Sequence, residues 1–403
     1  MQQIKGGVCA AKGFTANGIH CGIRKNKSKR DLSLIVSEVP ATAAGVYTSN
    51  LVQSSTILVT KDHLKDGIAR AVICNSGNAN TCNADGIEVA QTMCSAAADA
   101  LGIDAKDVIV CSTGVIGQRL DPTPIIAGLP SLVEGLGDHS DLAAEGIMTT
   151  DTAMKEIAFS FTVDGKECHI GGIAKGSGMI HPNLATMLVF ITTDCAISSE
   201  MLQKALSADV RDTFNMVSVD GDTSTNDTVA VLANGMAGNA CITAPGADFD
   251  SFCAALKAVT VYLCRCIAAD GEGATKLLEC VVCGAKDDAT AKIIAKSVIC
   301  SSLTKAAMFG ADANWGRILC AIGYSGASVD VTKVDVAFRS AKGTVAVCQG
   351  GAGIDFSEEI AKEILLESEI DILITLGDGE GKATAWGCDL TYEYVKINGD
   401  YRT

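Results

Sequence analysis

Short apolar runs alternate with polar, turn-forming clusters along this chain, and the spacing of the apolar positions switches between a strand period and a helix period. Residues 32–39, 56–60 and 69–74 are apolar or alternating stretches bounded by Asn, Asp, Gly and Lys, and they predict strands of one sheet wall. Residues 85–101 place Ile87, Ala90, Met93, Cys94 and Ala97 on one face, which predicts a helix covering that sheet. A buried strand at 108–117 runs into a Ser-Thr-Gly turn, and 122–147 reads as helices with a Gly-rich break. Asp164-Gly165 is the strongest hairpin signal and closes strands at 155–163 and 167–174. A Gly-Ser-Gly turn and Pro182 then lead into residues 187–191, a run too apolar to leave the core. Further on, the pattern predicts a helix at 198–212, a polar loop at 217–227, a strand at 228–233, a helix at 252–269 and a strand at 370–376. No sustained strand–helix–strand rhythm appears, so the expected class is α+β, with stacked antiparallel sheets flanked by helices.

Composition narrows this picture. No Pro-rich, Ser-rich or charge-block linker divides the 403 residues, which fits one interlocked body or two tightly joined lobes. The net charge of −15 argues against nucleic acid as a partner, because phosphate binding needs basic surface. No apolar run reaches membrane-spanning length and the start has no signal-peptide core, so no membrane partner and a cytoplasmic setting are expected. In that setting the 18 cysteines read as reduced core residues rather than a disulfide framework. Cys264-x-Cys266 and Cys280-x-x-Cys283 have the look of zinc spacing, but two apart on a helix and three apart on a strand they face different ways. The loop from Asp220 resembles a calcium loop yet carries Thr225 and Val231 where Gly and Glu belong. No metal is expected, and without a Gly-rich phosphate loop the sequence gives no direct sign of a nucleotide site.

One stretch carries most of the chemistry. Residues 175–194 read Lys-Gly-Ser-Gly-Met-Ile-His-Pro-Asn-Leu-Ala-Thr-Met-Leu-Val-Phe-Ile-Thr-Thr-Asp. Nearly residue for residue this resembles the self-cleavage site of the ornithine acetyltransferase family, the glutamate N-acetyltransferases of the cyclic arginine pathway. The likeness runs from Gly6-Gly7 to the final Tyr401-Arg402-Thr403, with His181 departing from an expected Ala and Leu184 from Met. His181 itself reads as a solvated loop histidine. The resemblance implies cleavage between Ala185 and Thr186, giving an alpha chain of residues 1–185 and a beta chain of residues 186–403, interlocked as one folded unit. A Thr with a free α-amine holds nucleophile and base in one residue.

The same resemblance assigns further residues. Thr113 and Gly114, in Ser-Thr-Gly-Val-Ile-Gly, become the oxyanion-stabilising pair; Gly at 114 lets its N–H approach a ligand and Thr113 adds a hydroxyl donor. Thr152, Lys175, Thr186, Glu272, Asn398 and Thr403 become substrate contacts, with Lys175 suited to a carboxylate and Glu272 also catalytic. A near copy of the Glu272 loop surrounds Glu380, and it reads as shared turn chemistry rather than a repeat. The family likeness further implies a DmpA-like αββα sandwich, small-molecule substrates (N2-acetylornithine and glutamate), an acetyl-Thr intermediate and a heterotetramer of two alpha and two beta chains. No cofactor is implied, but some relatives also accept acetyl-CoA, and no residue here decides whether this chain does. The alternative is an N-terminal-nucleophile peptidase or amidase of related fold, in which water resolves the acyl-enzyme. A catalytically inert binding module would need the Ala185–Thr186 bond to stay intact.

Overall fold

The computed structural model describes residues 1–181 and 187–399, so Ala185, Thr186 and Thr403 lie outside the described residues. Among the described residues the chain forms a nine-stranded sheet and a seven-stranded sheet. Across the first, the strands run Gln2–Ile4, Lys155–Val163, Lys166–Lys175, Leu188–Thr193, Thr228–Ala233, Leu32–Tyr47, Ile68–Asn78 and Val108–Val115, with Phe14–Ile19 paired to Leu32–Tyr47. The second runs Ala352–Gly353, Gly343–Gln349, Asp335–Ser340, Glu369–Thr375, Leu277–Ala285, Gly381–Cys388 and Val217–Ser218.

The fold is the expected α+β class, but both sheets are mixed. Leu188–Thr193 pairs in parallel with Thr228–Ala233, and Ile68–Asn78 in parallel with Val108–Val115. Each pair is joined by a connection carrying a helix, Ser199–Asp209 in the first and Gly86–Leu101 in the second, which is the crossover that parallel pairing needs. Residues 56–60 depart further from expectation: they belong to a helix, Ser55–His63. Their β-branched side chains read as a strand, but Ser54 caps the helix through the Thr56 N–H, and the helix has work at the sheet's edge. Thr60 Oγ1 bonds both the N–H and the carbonyl of Val110 at 3.0 and 2.8 Å, and His63 Nδ1 lies 2.8 Å from the Val108 carbonyl. The exposed edge of Val108–Val115 is thereby covered.

The helix Ala247–Ala269 packs on both sheets, touching the strands from Lys155 and Lys166 on one side and those from Leu277 and Gly381 on the other. Contrary to the sequence expectation, it is long and apolar enough to cross a membrane by those criteria alone. Its place in the core explains that composition. Phe252, Leu256, Val259 and Leu263 are fully buried, worth roughly 1.5–3 kcal/mol each as an upper estimate. All eighteen cysteines are unpaired, and nine of them are buried.

Candidate active site

The site grows from the ends of neighbouring strands. Lys175 closes the strand Lys166–Lys175, in register with Leu188 at the start of the next. Because Thr228–Ala233 runs parallel to that next strand, with the Thr228 N–H donating to the Met187 carbonyl at 2.9 Å, the polar run ending in Asn226 and Asp227 arrives at the same place. Asn226 then ties in the far strand: its Nδ2 donates to the carbonyls of Ala79 at 2.6 Å and Ser112 at 2.7 Å, which sets Thr113 and Gly114 across from Lys175. These groups enclose a cavity of about 120 Å³ that Glu272 and Asn398 also line.

Two glycines make room for the chemistry. Gly114 has φ 135°, and a Cβ there would lie 2.3 Å from the Gly77 carbonyl carbon, so no other residue fits without moving the adjoining strand. At Gly178 a Cβ would lie 2.3 Å from the carboxyl carbon of Glu272, so the absence of a side chain is what lets that carboxylate into the cavity. The Glu272 N–H donates to the Ser177 carbonyl at 2.9 Å, and Asn398 Nδ2 donates to Glu272 Oε2 at 2.7 Å. Asn398 comes from the helix Tyr392–Gly399, so the C-terminal part of the chain folds back onto the cavity.

Behind the cavity lies a buried ionic cluster. Lys155 Nζ bonds Asp151 Oδ1 at 2.8 Å and Asp270 Oδ2 at 2.5 Å, with all three side chains nearly or fully inaccessible. Asp151 Oδ1 also accepts the Gly176 N–H at 2.7 Å, and the Ser177 hydroxyl donates to the Asp270 carbonyl at 2.7 Å. Lys155 thus joins the loop after Lys175 to the loop before Glu272. Burial alone would raise the pKa of Asp151, but Lys175 and Lys155 outweigh it and hold the carboxyl well below the usual carboxylate range. Burial likewise opposes the charge on Lys155, and the two carboxylates reverse that, raising its pKa.

Of the residues assigned from the sequence, Thr113, Gly114, Lys175, Glu272 and Asn398 share this cavity. Thr152 is not among its lining residues: its hydroxyl and N–H are turned to Asp270, and Thr149 and Thr150 line the cavity instead. Ala185, Thr186 and Thr403 lie outside the described residues. His181, read as solvated, is half-buried, with Nδ1 3.1 Å from Ser218 Oγ and 3.4 Å from Cys300 Sγ. Burial, with Lys296 nearby, lowers its pKa to about 4, so it is neutral near pH 7. Sequence reasoning missed Asp151, Lys155 and Asp270 as a cluster, since each sits in a stretch that reads as a solvated turn or hairpin start. The 217–227 loop, expected to line a pocket because it leads into the strand at Thr228, does so through Ser224, Thr225 and Asn226, and its Asp220 accepts the N–H groups of Met179 and Ile180 at 2.6 and 2.8 Å and fixes the turn after Lys175.

Comparison with known proteins adds an independent finding. A family model described as the ArgJ family matches residues 15–403. The chain is 49% identical over 405 residues to the arginine biosynthesis bifunctional protein ArgJ of Caldanaerobacter subterraneus subsp. tengcongensis, with 100% of both chains covered. It is 48% identical over 403 residues to the Bacillus subtilis protein of the same name, covering 100% of this chain and 98% of that one. A crystal structure of the arginine biosynthesis bifunctional protein from Bacillus halodurans is similar at a TM-score of 0.50 and 46% identity, covering 53% of this chain and 98% of that chain.

Proposed function

This chain belongs to the ArgJ family, and from that premise we propose that it is a glutamate N-acetyltransferase of arginine biosynthesis, taking acetyl from N2-acetylornithine through an acetyl-Thr186 intermediate. The observation that carries the reading is the single small cavity in which Thr113, Gly114, Lys175, Glu272 and Asn398 converge. In this reading the chain cuts itself before Thr186, and the freed α-amine takes the proton from the Thr186 hydroxyl as it attacks the acetyl carbonyl. Thr113 and Gly114 hold the oxyanion, each donor contributing roughly 2–4 kcal/mol to the transition state. Lys175 holds the α-carboxylate shared by donor and acceptor, and Glu272, oriented by Asn398, engages the cationic end or assists proton transfer. Ornithine leaves, glutamate enters the same cavity, and its amine takes the acetyl group. The solved chain from Bacillus halodurans matches 53% of this chain at 98% of its own length, close to the 218 of 403 residues that a fragment starting at Thr186 would have. A cytoplasmic setting, acetyl-CoA as a second donor and an assembly of two copies of each fragment belong to the same proposal.

The test is mass spectrometry of the protein supplied with N2-acetylornithine alone. One acetyl mass on the fragment beginning at Thr186, released by glutamate and not by water, supports the reading. No acetyl mass, with intersecting rather than parallel double-reciprocal lines, means direct transfer and overturns it.

Two variants separate the roles. Lys175→Ala is expected to raise KM for both substrates with a smaller change in kcat, whereas Thr113→Val is expected to lower kcat by roughly 10²-fold or more at nearly unchanged KM. Steady-state kinetics of the two purified proteins checks this, and a Thr113→Val enzyme with wild-type kcat removes Thr113 from the oxyanion role.

The rate is also expected to depend on pH in one direction. The α-amine of Thr186 must be neutral to act as base, and its ordinary pKa is about 7.7–8.0, so kcat/KM should rise with pH through that region or somewhat below. His181, lowered to about 4, titrates too far below to produce that limb. A flat profile from pH ~6 to ~9 points to a different base.

A further inference from the structure

Beside the substrate cavity, a second cavity of about 20 Å³ is lined by Thr113, Lys175, Met187, Asn226 and Asp227. Asp227 is 2% exposed, and its Oδ2 is buried with no hydrogen-bond partner among the described residues. A buried carboxyl oxygen left without a partner is costly and uncommon, so it calls for a role. Asp227 is also fixed in place. Its carbonyl accepts the Thr48 N–H at 3.0 Å, and the next residue, Thr228, donates its N–H to the Met187 carbonyl at 2.9 Å. Asp227 directly precedes the strand Thr228–Ala233 and lines this cavity together with Met187, the residue that follows Thr186 in the sequence.

We propose that Asp227 is the proton relay for self-cleavage at Ala185–Thr186, an inference that rests on the self-cleavage reading above. The Thr186 hydroxyl oxygen attacks the Ala185 carbonyl carbon while its proton passes to one Asp227 carboxyl oxygen and, in the same step, the proton on the other carboxyl oxygen passes to the Thr186 nitrogen. The carbon–nitrogen bond then breaks as the carbonyl re-forms. The peptide becomes an ester with a free amine, and Asp227 ends with one proton, as it began. Water then hydrolyses the ester, leaving the Ala185 carboxylate and a free Thr186 hydroxyl.

The surroundings supply what such a relay needs. A carboxyl must be protonated to donate and must have an unoccupied oxygen to accept. Burial pushes the Asp227 carboxyl well above the usual carboxylate range, more than Ser224, Lys175 and Thr48 pull it back. Lys175, at the end of the strand Lys166–Lys175, is the only other titratable group lining this cavity among the described residues, and Thr113, Met187, Leu188 and Asn226 bring none from their strands and loop. Burial therefore favours the protonated form of the Asp227 carboxyl.

The full-length chain tests this on a denaturing gel. Asp227→Asn keeps shape and polarity but cannot exchange a proton. It is expected to be cut at least ~100-fold more slowly than wild type while melting cooperatively at no lower temperature. Asp227→Glu, which keeps a carboxyl on a longer arm, is expected to restore part of the cutting rate, an outcome that lost packing alone does not give. Asp227→Asn cut at the wild-type rate overturns the relay. If that variant loses its cooperative melt, a folded Asp227→Glu decides: cutting slowed at least ~10-fold supports the relay, and cutting at the wild-type rate overturns it. A wild-type chain that is never cut removes the self-cleavage reading itself, a separate result.

Discussion

A Thr186→Ala chain is expected to run as one band at the full mass of 41.5 kDa and to lose acetyl transfer by roughly 10⁴-fold or more, whereas the wild type resolves into two fragments. The size of the loss follows from how much one residue carries. In the reading above, the hydroxyl attacks first the chain's own Ala185 carbonyl and later the acetyl carbonyl, and the base for the second reaction exists only if the first succeeds. Removing Oγ1 therefore abolishes the nucleophile and the base together. The cavity with Thr113, Gly114, Lys175, Glu272 and Asn398 is untouched, so the variant should still bind N2-acetylornithine. A gel, an activity assay and a calorimetric titration on the same preparation check the three parts. An uncut wild type with full activity, or an active Thr186→Ala protein, would falsify the nucleophile assignment.

Lys155→Met is expected to cost stability on the order of 3–5 kcal/mol at neutral pH, because it leaves Asp151 and Asp270 buried as like charges with no cation between them. The pH dependence gives the sign of the effect. Asp151 has a folded pKa below its unfolded value of about 3.9, so its contribution is present above that value and is lost as pH falls through the folded pKa. Lys155 has a folded pKa above its unfolded value of about 10.4, so its contribution is present below that value and is lost as pH rises through the folded pKa. Both are fully in place near pH 7. In the variant the two carboxylates gain by taking up protons, so the gap between variant and wild type should narrow as pH falls from neutral towards the carboxylate range. Denaturant unfolding at several pH values measures this, and a gap that stays constant or widens in acid shows that the cluster is not the source. The same substitution frees the loop after Lys175 from the loop before Glu272, so KM should rise as well.

Much of the architecture could be read from pattern alone. The Asp164-Gly165 hairpin forms with strands Lys155–Val163 and Lys166–Lys175, and the strand Thr228–Ala233 falls at its expected bounds, because turn chemistry and uniformly apolar runs are local signals. Parallel pairing left no such trace: Leu188–Thr193 and Thr228–Ala233 are buried along their whole length, and a strand buried on both faces looks the same whichever way its neighbour runs. Thr56, Ile57, Val59 and Thr60 misled because β-branched residues favour strands, while the Ser54 cap and the edge of Val108–Val115 decide for helix. At the cavity, the family resemblance named Lys175, Glu272 and Asn398, but the groups that hold them were invisible. Lys155 meets Asp270 across 115 positions of sequence, a separation over which no spacing rule operates. Asp227 carried one faint signal, an acidic residue directly before a strand with no exposed position.

The arrangement of the nine-stranded sheet has a consequence for the life of the mature protein. Leu188–Thr193 and Thr228–Ala233, which follow the proposed cut, sit inside the sheet between Lys166–Lys175 and Leu32–Tyr47, which precede it. The proposed cut would therefore leave two fragments threaded through each other, with backbone hydrogen bonds on both flanks holding them together. Before the cut, folding is unimolecular; afterwards the same structure regained from unfolded fragments would require two chains to meet, at a rate set by their concentration. The proposed self-cleavage would thus act as a ratchet: it would leave the folded shape in place while removing the direct route back to it, and the lifetime of the cut protein would be governed by how slowly the sheet opens.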